Sequence, residues 1–343
     1  MNHHYTFTSL TRTSPLATEP VELGRVPHGE WKSGDFVACE IVDDLFIHYQ
    51  AEITNGRMVS LAKGDVLIGA LGNRFATLEA TGSWEQVGED GRMHLLTGAG
   101  LFGLLTSQSM YLRSLVNLQY IGHAMLQGHP CNMKDFVQSA MHTEYNIPTI
   151  MIFGTSMSAG KTMAARILVR LLKRANLTVL GAKLTGAGRY RDILSMQDSG
   201  ADHIFDFVEA GLPSTVVPQE EYAAALGNLL GRMQDTGADV AVVEIGASPL
   251  EPYNGLTAYE TLKESINCSV LCASDPYAVY GVMKAFGVKP DVVSGIATNT
   301  LAGIQLIEKL CDVRAINVID PAHHVELCEV VGEQLGIDLL AGS

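Results

Sequence analysis

Residues 147–162 read IPTIMIFGTSMSAGKT, and this stretch decides how the rest of the chain is interpreted. An apolar run at 147–153 precedes a Gly/Ser-rich loop that ends in Gly-Lys-Thr at 160–162. The run is partly β-branched, as is typical of a strand buried on both faces of a parallel sheet. A strand, such a loop and a helix N-terminus form a site where backbone N–H groups and one lysine surround a polyphosphate. The stretch therefore predicts a phosphate-binding loop.

The spacing of this loop departs by one residue from the usual G-x-x-x-x-G-K-[ST] pattern. Five residues separate Gly154 from Gly160, and an apolar helical spacing resumes after the loop. We predict that Lys161 reaches the terminal phosphates of a cofactor and that Thr162 places its hydroxyl on Mg²⁺. The alternative is a glycine-rich turn with an incidental lysine. The predicted cofactor-binding residues of the loop are Gly154, Thr155, Ser156, Ser158, Ala159, Gly160, Lys161, Thr162 and Met163.

Composition excludes several classes of protein. A chain of 343 residues exceeds the usual size of one domain, so we expect two. Its net charge of −14 disfavours a nucleic-acid partner, because phosphate backbones require a basic surface. No run approaches the ~18 apolar residues of a membrane span, and the first residues lack the apolar segment of a signal peptide. The scattered cysteines, including Cys268 and Cys272 in an apolar run, are expected to be core thiols. We therefore expect a cytoplasmic protein with no membrane partner.

Two segments precede the phosphate loop. Residues 1–106 alternate short apolar runs with turn signals, which predicts a small, mostly β domain. Its strand candidates are 36–42, 58–62, 65–71 and 93–98. Residues 107–146 are predicted to be a helical connector. The apolar positions that suggest this helix are Leu112, Leu115, Val116, Ile121 and Met125.

From residue 147 to 343, strand and helix patterns alternate. The strand candidates are 147–153, 178–184, 239–245, 268–273, 291–298 and 314–319, with helices between them that include 220–233 and 301–311. Alternation of this kind predicts an α/β fold with a doubly wound, mainly parallel P-loop sheet. Ligands of such sheets bind beyond the C-terminal ends of the strands. Polar residues at those ends are therefore the candidates for function.

The strand after the loop helix ends at Lys183, which is either a surface lysine or a partner for a terminal phosphate or substrate carboxylate. The polar segment that follows suits contact with an anionic substrate. Its predicted substrate-binding residues are Thr185, Gly186 and Arg189, with a solvated surface residue as the alternative for Arg189. Asp198, Asp202 and Asp206 come next. One of them could hold Mg²⁺ or accept a substrate amine, although such residues are more often exposed acids or helix caps.

Glu244 closes the next apolar strand and is the candidate Mg²⁺ or water-organising group. A buried glutamate without a cation would be unfavourable, which supports this interpretation. The turn that follows is predicted to approach the γ-phosphate and the substrate through Gly246, Ala247 and Ser248. Asn299 either presents its amide to a nucleobase edge or is a turn residue. The adjacent His323 and His324 could be a metal-binding pair, but neighbouring side chains on a helix diverge, so a helix-start turn is the favoured interpretation.

The loop GTSMSAGKT, with its extra residue, resembles that of dethiobiotin synthetases and related amidotransferase-type P-loop enzymes. This resemblance implies that Lys183 corresponds to their lysine on the next strand and Glu244 to their strand-end acid. It also implies that Asn299 corresponds to their adenine-facing asparagine.

A second resemblance covers about residues 150–321. The segments GTSMSAGK, KLTGAGR, DFVEAG, VVEIGASPLEPYNG, VLCASDP, GIATNT and VIDP are similar, in this order, to a P-loop family long described as a domain of unknown function. Some members of that family are D-glutamate N-acetyltransferases. Their loop lysine is usually followed by Met or Arg, whereas Thr162 follows it here. Residues 1–106 show no counterpart of their usual N-terminal Rossmann-like domain.

Three functions are compatible with these features. The first is an enzyme that uses ATP and Mg²⁺ to phosphorylate and couple a small amino or carboxylic acid, with Lys161, Lys183 and Glu244 as catalytic residues. Thr162 and Glu244 would then be the Mg²⁺ ligands. The second is an acetyl-CoA-dependent N-acyltransferase that acts on an amino acid. The third is a non-enzymatic module gated by a nucleotide. By analogy with similar folds, we expect a homo-oligomer.

Overall fold

The computed structural model describes residues 5–44 and 49–340, which form two compact units. We call the first the β unit. It comprises the described residues of Met1–Gln138 and two later segments, Ala187–Arg191 and Phe207–Pro218. The second is the α/β unit, which comprises Ser139–Gly186, Asp192–Asp206 and the described residues of Gln219–Ser343. None of the described helices is long and apolar enough to cross a membrane.

The β unit is built around a closed barrel. Its strands are β1 (Tyr5–Phe7), β2 (Glu22–Gly24), β3 (Phe36–Ile41), β4 (Gln50–Glu52), β5 (Met58–Ser60), β6 (Val66–Leu71), β7 (Arg74–Phe75), β8 (Ala80–Ser83), β9 (Arg92–Thr97), β10 (Leu101–Gln108), β11 (Asn117–Leu126) and β12 (His129–Pro130). The main sheet has the order β1-β6-β3-β11-β9-β10-β8-β7, and β10 also pairs with β6. This pairing closes β6, β3, β11, β9 and β10 into a ring around apolar side chains such as Val37, Leu67 and Phe102.

The prediction of a helical connector at 107–146 is wrong. This segment contains the end of β10, all of β11 and β12, and only a short 3₁₀ turn at Met133–Phe136. β11 forms antiparallel ladders with β3 on one side and β9 on the other. The C-terminal part of β11 pairs with β2 and β12. These ladders satisfy backbone groups of β11, so tertiary pairing overrides a spacing that also fits a helix.

The α/β unit has a fully parallel sheet. Its strands are β13 (Thr149–Gly154), β14 (Val179–Thr185), β15 (His203–Asp206), β16 (Val240–Ile245), β17 (Ile266–Cys272) and β18 (Val292–Ser294). The helices that follow or connect them are α1 (Lys161–Arg174), α2 (Tyr190–Gln197), α3 (Gln219–Gln234), α4 (Gly255–Leu262), α5 (Pro276–Phe286), α6 (Leu301–Cys311) and α7 (His324–Leu335). The strand order is β15-β14-β16-β13-β17-β18, and each described pairing is parallel. The predicted fold class, a doubly wound P-loop sheet preceded by a mostly β domain, is confirmed.

Some strand predictions need correction. The candidate at 291–298 is a strand only over Val292–Ser294, because Gly295 turns the chain into a 3₁₀ turn at Ile296–Thr298. The candidate at 314–319 forms only a single parallel bridge, between Ala315 and Val293. β15 was not predicted, because its sequence, HIFD, is too short and too polar to form an apolar run. The helix-start prediction at His323 and His324 is confirmed, since α7 begins at His324.

Candidate functional site

The site begins where β13 ends and α1 begins. Gly154 is the last residue of β13, and Lys161 is the first of α1. Gly160 caps the helix with a φ of +101°, a conformation that side-chain-bearing residues rarely adopt. A Cβ on Gly154 would lie 3.0 Å from the Cys272 carbonyl oxygen and from Cδ of Lys161. The two glycines thus let the chain turn tightly and let the lysine side chain cross the strand end.

The loop is supported from behind by the ends of β17 and β18. Gly295 has a φ of +88°, and a Cβ on it would lie 2.2 Å from the carbonyl oxygen of Ala159. The Thr155 N–H donates to the Cys272 carbonyl at 3.0 Å, and the Ser274 N–H donates to Thr155 Oγ1 at 3.2 Å. These contacts hold both ends of the loop against two strand ends.

Lys161 is 3% exposed, and its Nζ donates to the Ser156 carbonyl oxygen at 2.6 Å. The lysine side chain therefore curls back over the loop. Burial lowers the pKa of Lys161, while the nearby Glu244 carboxylate opposes this change. A buried ammonium of this kind is unfavourable unless an anionic group pairs with it.

Glu244 lies on β16, directly beside β13, and is 2% exposed. Burial raises the pKa of Glu244, although the Lys183 and Lys161 ammonium groups oppose the rise. Thr162 Oγ1 donates to Glu244 Oε2 at 3.2 Å. A hydroxyl and a carboxylate oxygen therefore converge at the start of α1. Such a donor set suits Mg²⁺, which usually binds one or two protein oxygens together with substrate phosphates and water. Among the described residues, no group of three or more His, Cys, Asp or Glu side chains forms a larger metal site.

Lys183 lies on β14, opposite Glu244 on one neighbouring strand and Asp206 on the other. Its Nζ donates to Oδ2 of Asp192, in the first turn of α2. Burial alone would lower the pKa of Lys183, but Asp192, Glu244 and Asp206 together raise it above its ordinary value. Lys183 is thus a buried cation and not a surface lysine.

The turn after β16 is fixed in place by its own contacts. Thr185 Oγ1 donates to the Gly246 carbonyl oxygen at 3.0 Å. A Cβ on Gly246 would lie 2.1 Å from the Thr185 carbonyl oxygen, so a side chain there would displace the backbone. Ala247 has a φ of +59°, and the Ser248 N–H donates to Glu251 Oε2 at 2.6 Å. The turn is buried beside Lys183.

The structure brings several predicted residues together and separates others. Lys161, Thr162, Lys183 and Glu244 converge, and Thr185, Gly186 and the 246–248 turn adjoin them. Arg189 is exposed and belongs to the β unit, so its substrate role stays a prediction. Asn299 is exposed at the end of the Ile296–Thr298 turn, and its base contact also stays a prediction.

The three acids after β14 have different positions. Asp206 is buried beside Lys183, Asp198 is exposed, and Asp202 accepts from the Lys173 ammonium at 2.8 and 2.9 Å. Sequence reasoning missed Asp192 and Glu251, which contact Lys183 and Ser248. No motif marks either residue, because both contacts depend on how the chain folds back after a strand.

No protein-family model matches the sequence, and no curated protein matches it either. Solved structures with partial similarity include chloroplast FtsY from Physcomitrella patens, with a TM-score of 0.37 and 16% identity over 52% of this chain and 61% of that one. HypB from Helicobacter pylori in complex with nickel aligns with a TM-score of 0.38 and 13% identity, over 56% of this chain and 88% of that one. FtsY from Mycoplasma mycoides aligns with a TM-score of 0.35 and 11% identity, over 60% of this chain and 72% of that one.

The chain spans only about three fifths of the length of the first of these structures. At such low TM-scores the likeness says nothing about the site. The assignment of the P-loop fold depends instead on the strand order, the loop and its helix.

Proposed function

We propose that the α/β unit binds ATP with Mg²⁺ and transfers its terminal phosphoryl group to a small amino or carboxylic acid, as a ligase-type enzyme. The observation that carries this proposal is the 3.2 Å contact between Thr162 Oγ1 and Glu244 Oε2, directly beyond a loop with a buried lysine. Loop, hydroxyl and strand-end acid are the parts that phosphoryl-transfer sites use to hold a polyphosphate and its metal.

Each residue has a distinct proposed role. The backbone N–H groups of the loop and the α1 N-terminus would bind phosphate oxygens. Lys161 would release the Ser156 carbonyl and stabilise charge on the terminal phosphates. Lys183, at the end of β14, would stabilise charge on the transferred group. Thr162 and Glu244 would hold Mg²⁺, which when bound would neutralise phosphate charge. The buried 246–248 turn would limit the position of the acceptor.

The Thr162–Glu244 contact favours this reaction over acyl transfer from acetyl-CoA. The pyrophosphate of acetyl-CoA could occupy the same loop, but acyl transfer needs no metal ion. Without a metal ion, the convergence of the Thr162 hydroxyl and the Glu244 carboxylate would have no catalytic role, and the carboxylate would repel the pyrophosphate. The acyltransferase and a non-enzymatic nucleotide-gated module are therefore alternative outcomes of the same experiment.

The test is the change in melting temperature with ATP, GTP, ADP or acetyl-CoA, each with and without Mg²⁺. We expect ATP to raise the melting temperature more with Mg²⁺ than without, because ligands that bind only the folded state stabilise it. Lys161→Ala should abolish the response. The matched control is Lys173→Ala. Lys173 lies at the C-terminal end of the same helix, α1, and pairs with Asp202. Stabilisation by acetyl-CoA alone, indifferent to Mg²⁺, would refute the proposal in favour of the acyltransferase.

Catalysis requires a second measurement. ADP release should accelerate when a panel of amino acids and dicarboxylates is added to the protein with Mg²⁺ and ATP. Binding without acceleration by any panel member would favour the non-enzymatic module.

Two further proposals concern the state of the protein in the cell. The six cysteines are free thiols, which favours a reducing compartment, and we propose the cytoplasm. We also propose a homo-oligomer, on fold analogy alone, which sedimentation velocity would test directly.

A further inference from the structure

Glu52 is a buried acid of the β unit to which the proposed phosphoryl transfer gives no role. It is the last residue of β4 and is 2% exposed. Its Oε2 accepts from the Tyr190 N–H and its Oε1 accepts from the Arg191 N–H, each at 2.8 Å. The Ser9 hydroxyl also donates to Oε2. Both oxygens of this buried carboxylate therefore bind neighbouring backbone N–H groups of one short segment.

Tyr190 and Arg191 are the first two residues of α2. The N–H groups at the start of a helix have no acceptor within the helix, and that end of the helix carries partial positive charge. A carboxylate that accepts from both N–H groups therefore stabilises the first turn of α2. A residue just before the helix usually does this, whereas Glu52 does it from 138 positions away in the chain.

The segment that leads into α2 is also held within the β unit, to which residues 187–191 belong. The Gly188 N–H donates to the Pro213 carbonyl oxygen at 3.0 Å, and Thr97 Oγ1 donates to the Gly188 carbonyl oxygen at 3.4 Å. A Cβ on Gly188 would lie 2.4 Å from Cδ2 of Leu10, so the backbone packs closely against that side chain. The contacts within the β unit therefore restrict where α2 begins.

The first turn of α2 carries Asp192, which accepts from the Lys183 ammonium. Asp192 follows Arg191 directly, and neighbouring Cα atoms are about 3.8 Å apart, so an acceptor at the Arg191 N–H also restricts the Asp192 backbone. Without Asp192, the buried Lys183 would be left with Glu244 and Asp206, the other two carboxylates that act on it. Glu244 is the proposed Mg²⁺ ligand, and an ammonium drawn to it would compete with the metal ion.

We propose that Glu52 is a positioning residue for the phosphoryl transfer, because it holds the first turn of α2 so that Asp192 keeps the Lys183 ammonium away from Glu244. This inference rests on the proposed function and adds a residue of the β unit to it. Glu52 would act through Asp192 and not by contact with the nucleotide or the acceptor. Its loss should therefore lower kcat and leave the binding of ATP unchanged.

The first measurement is native-state hydrogen exchange. In the unmodified protein the Tyr190 and Arg191 amides should be protected, although amides at a helix start ordinarily exchange fast, and fast exchange of both would overturn the inference. Glu52→Gln puts an amide nitrogen in place of one accepting oxygen and should accelerate exchange of the α2 amides about tenfold or more. The matched control is Asp35→Asn. Asp35 is another buried acid of the β unit, and it accepts from the Lys32 N–H at 2.7 Å, so this variant should not affect α2.

The second measurement is the rate of ADP release from ATP with Mg²⁺ and the panel of amino acids and dicarboxylates. Glu52→Gln should lower kcat about ten- to a hundredfold and leave KM for ATP within about twofold, whereas Asp35→Asn should change neither. Asp192→Asn should lower kcat by a similar factor. The double variant, with Glu52→Gln and Asp192→Asn, should be no slower than Asp192→Asn alone, because Glu52 acts through Asp192. Factors that multiply in the double variant would overturn the inference, because two independent structural effects predict that result.

ATP binding separates the two hypotheses. If the unmodified protein neither binds ATP with Mg²⁺ nor releases ADP, the proposed function is refuted, and hydrogen exchange still decides whether Glu52 holds the turn that carries Asp192. If Glu52→Gln accelerates exchange in α2 but leaves kcat unchanged, only the present inference is refuted. If Glu52→Gln does not fold, Glu52→Asp takes its place, because it keeps the charge and shortens the side chain by one methylene group. The same slower turnover with unchanged KM is then expected, and an unchanged kcat refutes the inference.

Discussion

Replacement of Gly295 by alanine should disrupt the phosphate loop from behind. Gly295 has φ +88° and ψ −158°, a backbone region that is essentially restricted to glycine and costs other residues about 1–3 kcal/mol. The new Cβ would also lie 2.2 Å from the Ala159 carbonyl oxygen and 2.9 Å from the Ala273 nitrogen. Forced displacement in a packed region adds about 1–3 kcal/mol. We therefore expect Gly295→Ala to lower the free energy of unfolding of the α/β unit by about 2–6 kcal/mol.

The matched control is Gly287→Ala at the C-cap of α5. Gly287 also has a positive φ, +75°, but a Cβ there would have no atom within 4 Å, so only the cost of a left-handed residue, about 1–2 kcal/mol, applies. Native-state hydrogen exchange of the β17 amides reports the free energy of opening of the central strands of the α/β unit. Because Ala159 would move, Gly295→Ala should also weaken ATP binding about tenfold, or about 1.4 kcal/mol, while Gly287→Ala should not. Equal stability and equal ATP affinity of the two variants would refute the reasoning.

Three further predictions follow from single contacts. Thr162→Val removes the hydroxyl that contacts Glu244 and should abolish the Mg²⁺-dependent part of ATP binding. Thr162→Ser keeps a hydroxyl and should restore the Mg²⁺ dependence. An unchanged Mg²⁺ dependence in the valine variant would contradict the metal assignment. Partial burial would raise the pKa of Asp202, but the Lys173 ammonium and the Val179 N–H together lower this pKa below its ordinary value of 3.8. Its stabilisation is therefore present above pH ~4 and is lost as the pH falls through the lowered pKa. In urea unfolding, Asp202→Asn should cost about 1 kcal/mol at pH 7, discounted for exposure, and progressively less as the pH is lowered. Among the six cysteines, all of which lie in the described part of the chain, only Cys311 is not buried, so a thiol reagent at pH 8 should modify it first and Cys311→Ser should remove the fast phase. A fast phase that persists would contradict the burial of the other five.

Much of the α/β unit was predictable because its signals are local. β13, the loop and α1 are contiguous, so the apolar run, the glycines and the helical spacing specify them without help from the rest of the chain. The buried strands β14, β16 and β17 were predictable for the same reason. β11 was not, because its apolar spacing fits a helix as well as a strand, and the choice was made by its ladders with β3 and β9.

The candidate site also has features that the sequence predicted and features that it did not. The residue types at the strand ends were visible in the sequence, since parallel strands must place their C-terminal ends at one edge of the sheet. The partners of those residues were not visible. Thr162 meets Glu244 across 82 positions, and Lys183 pairs with Asp192 on a helix with no motif.

By itself, the sequence determined that this chain has a phosphate loop on a parallel sheet, because the strand, the turn and the helix start are specified by adjacent residues. Only the tertiary structure decided that Lys183 is a buried cation paired with Asp192, that Glu244 shares its position with Thr162, and that Gly295 supports the loop. The contacts of Thr162 with Glu244 and of Gly295 with Ala159 join residues far apart in the chain, and the Lys183–Asp192 pair depends on how the chain folds back after β14. Their geometry depends on strand order and packing, which no local pattern encodes.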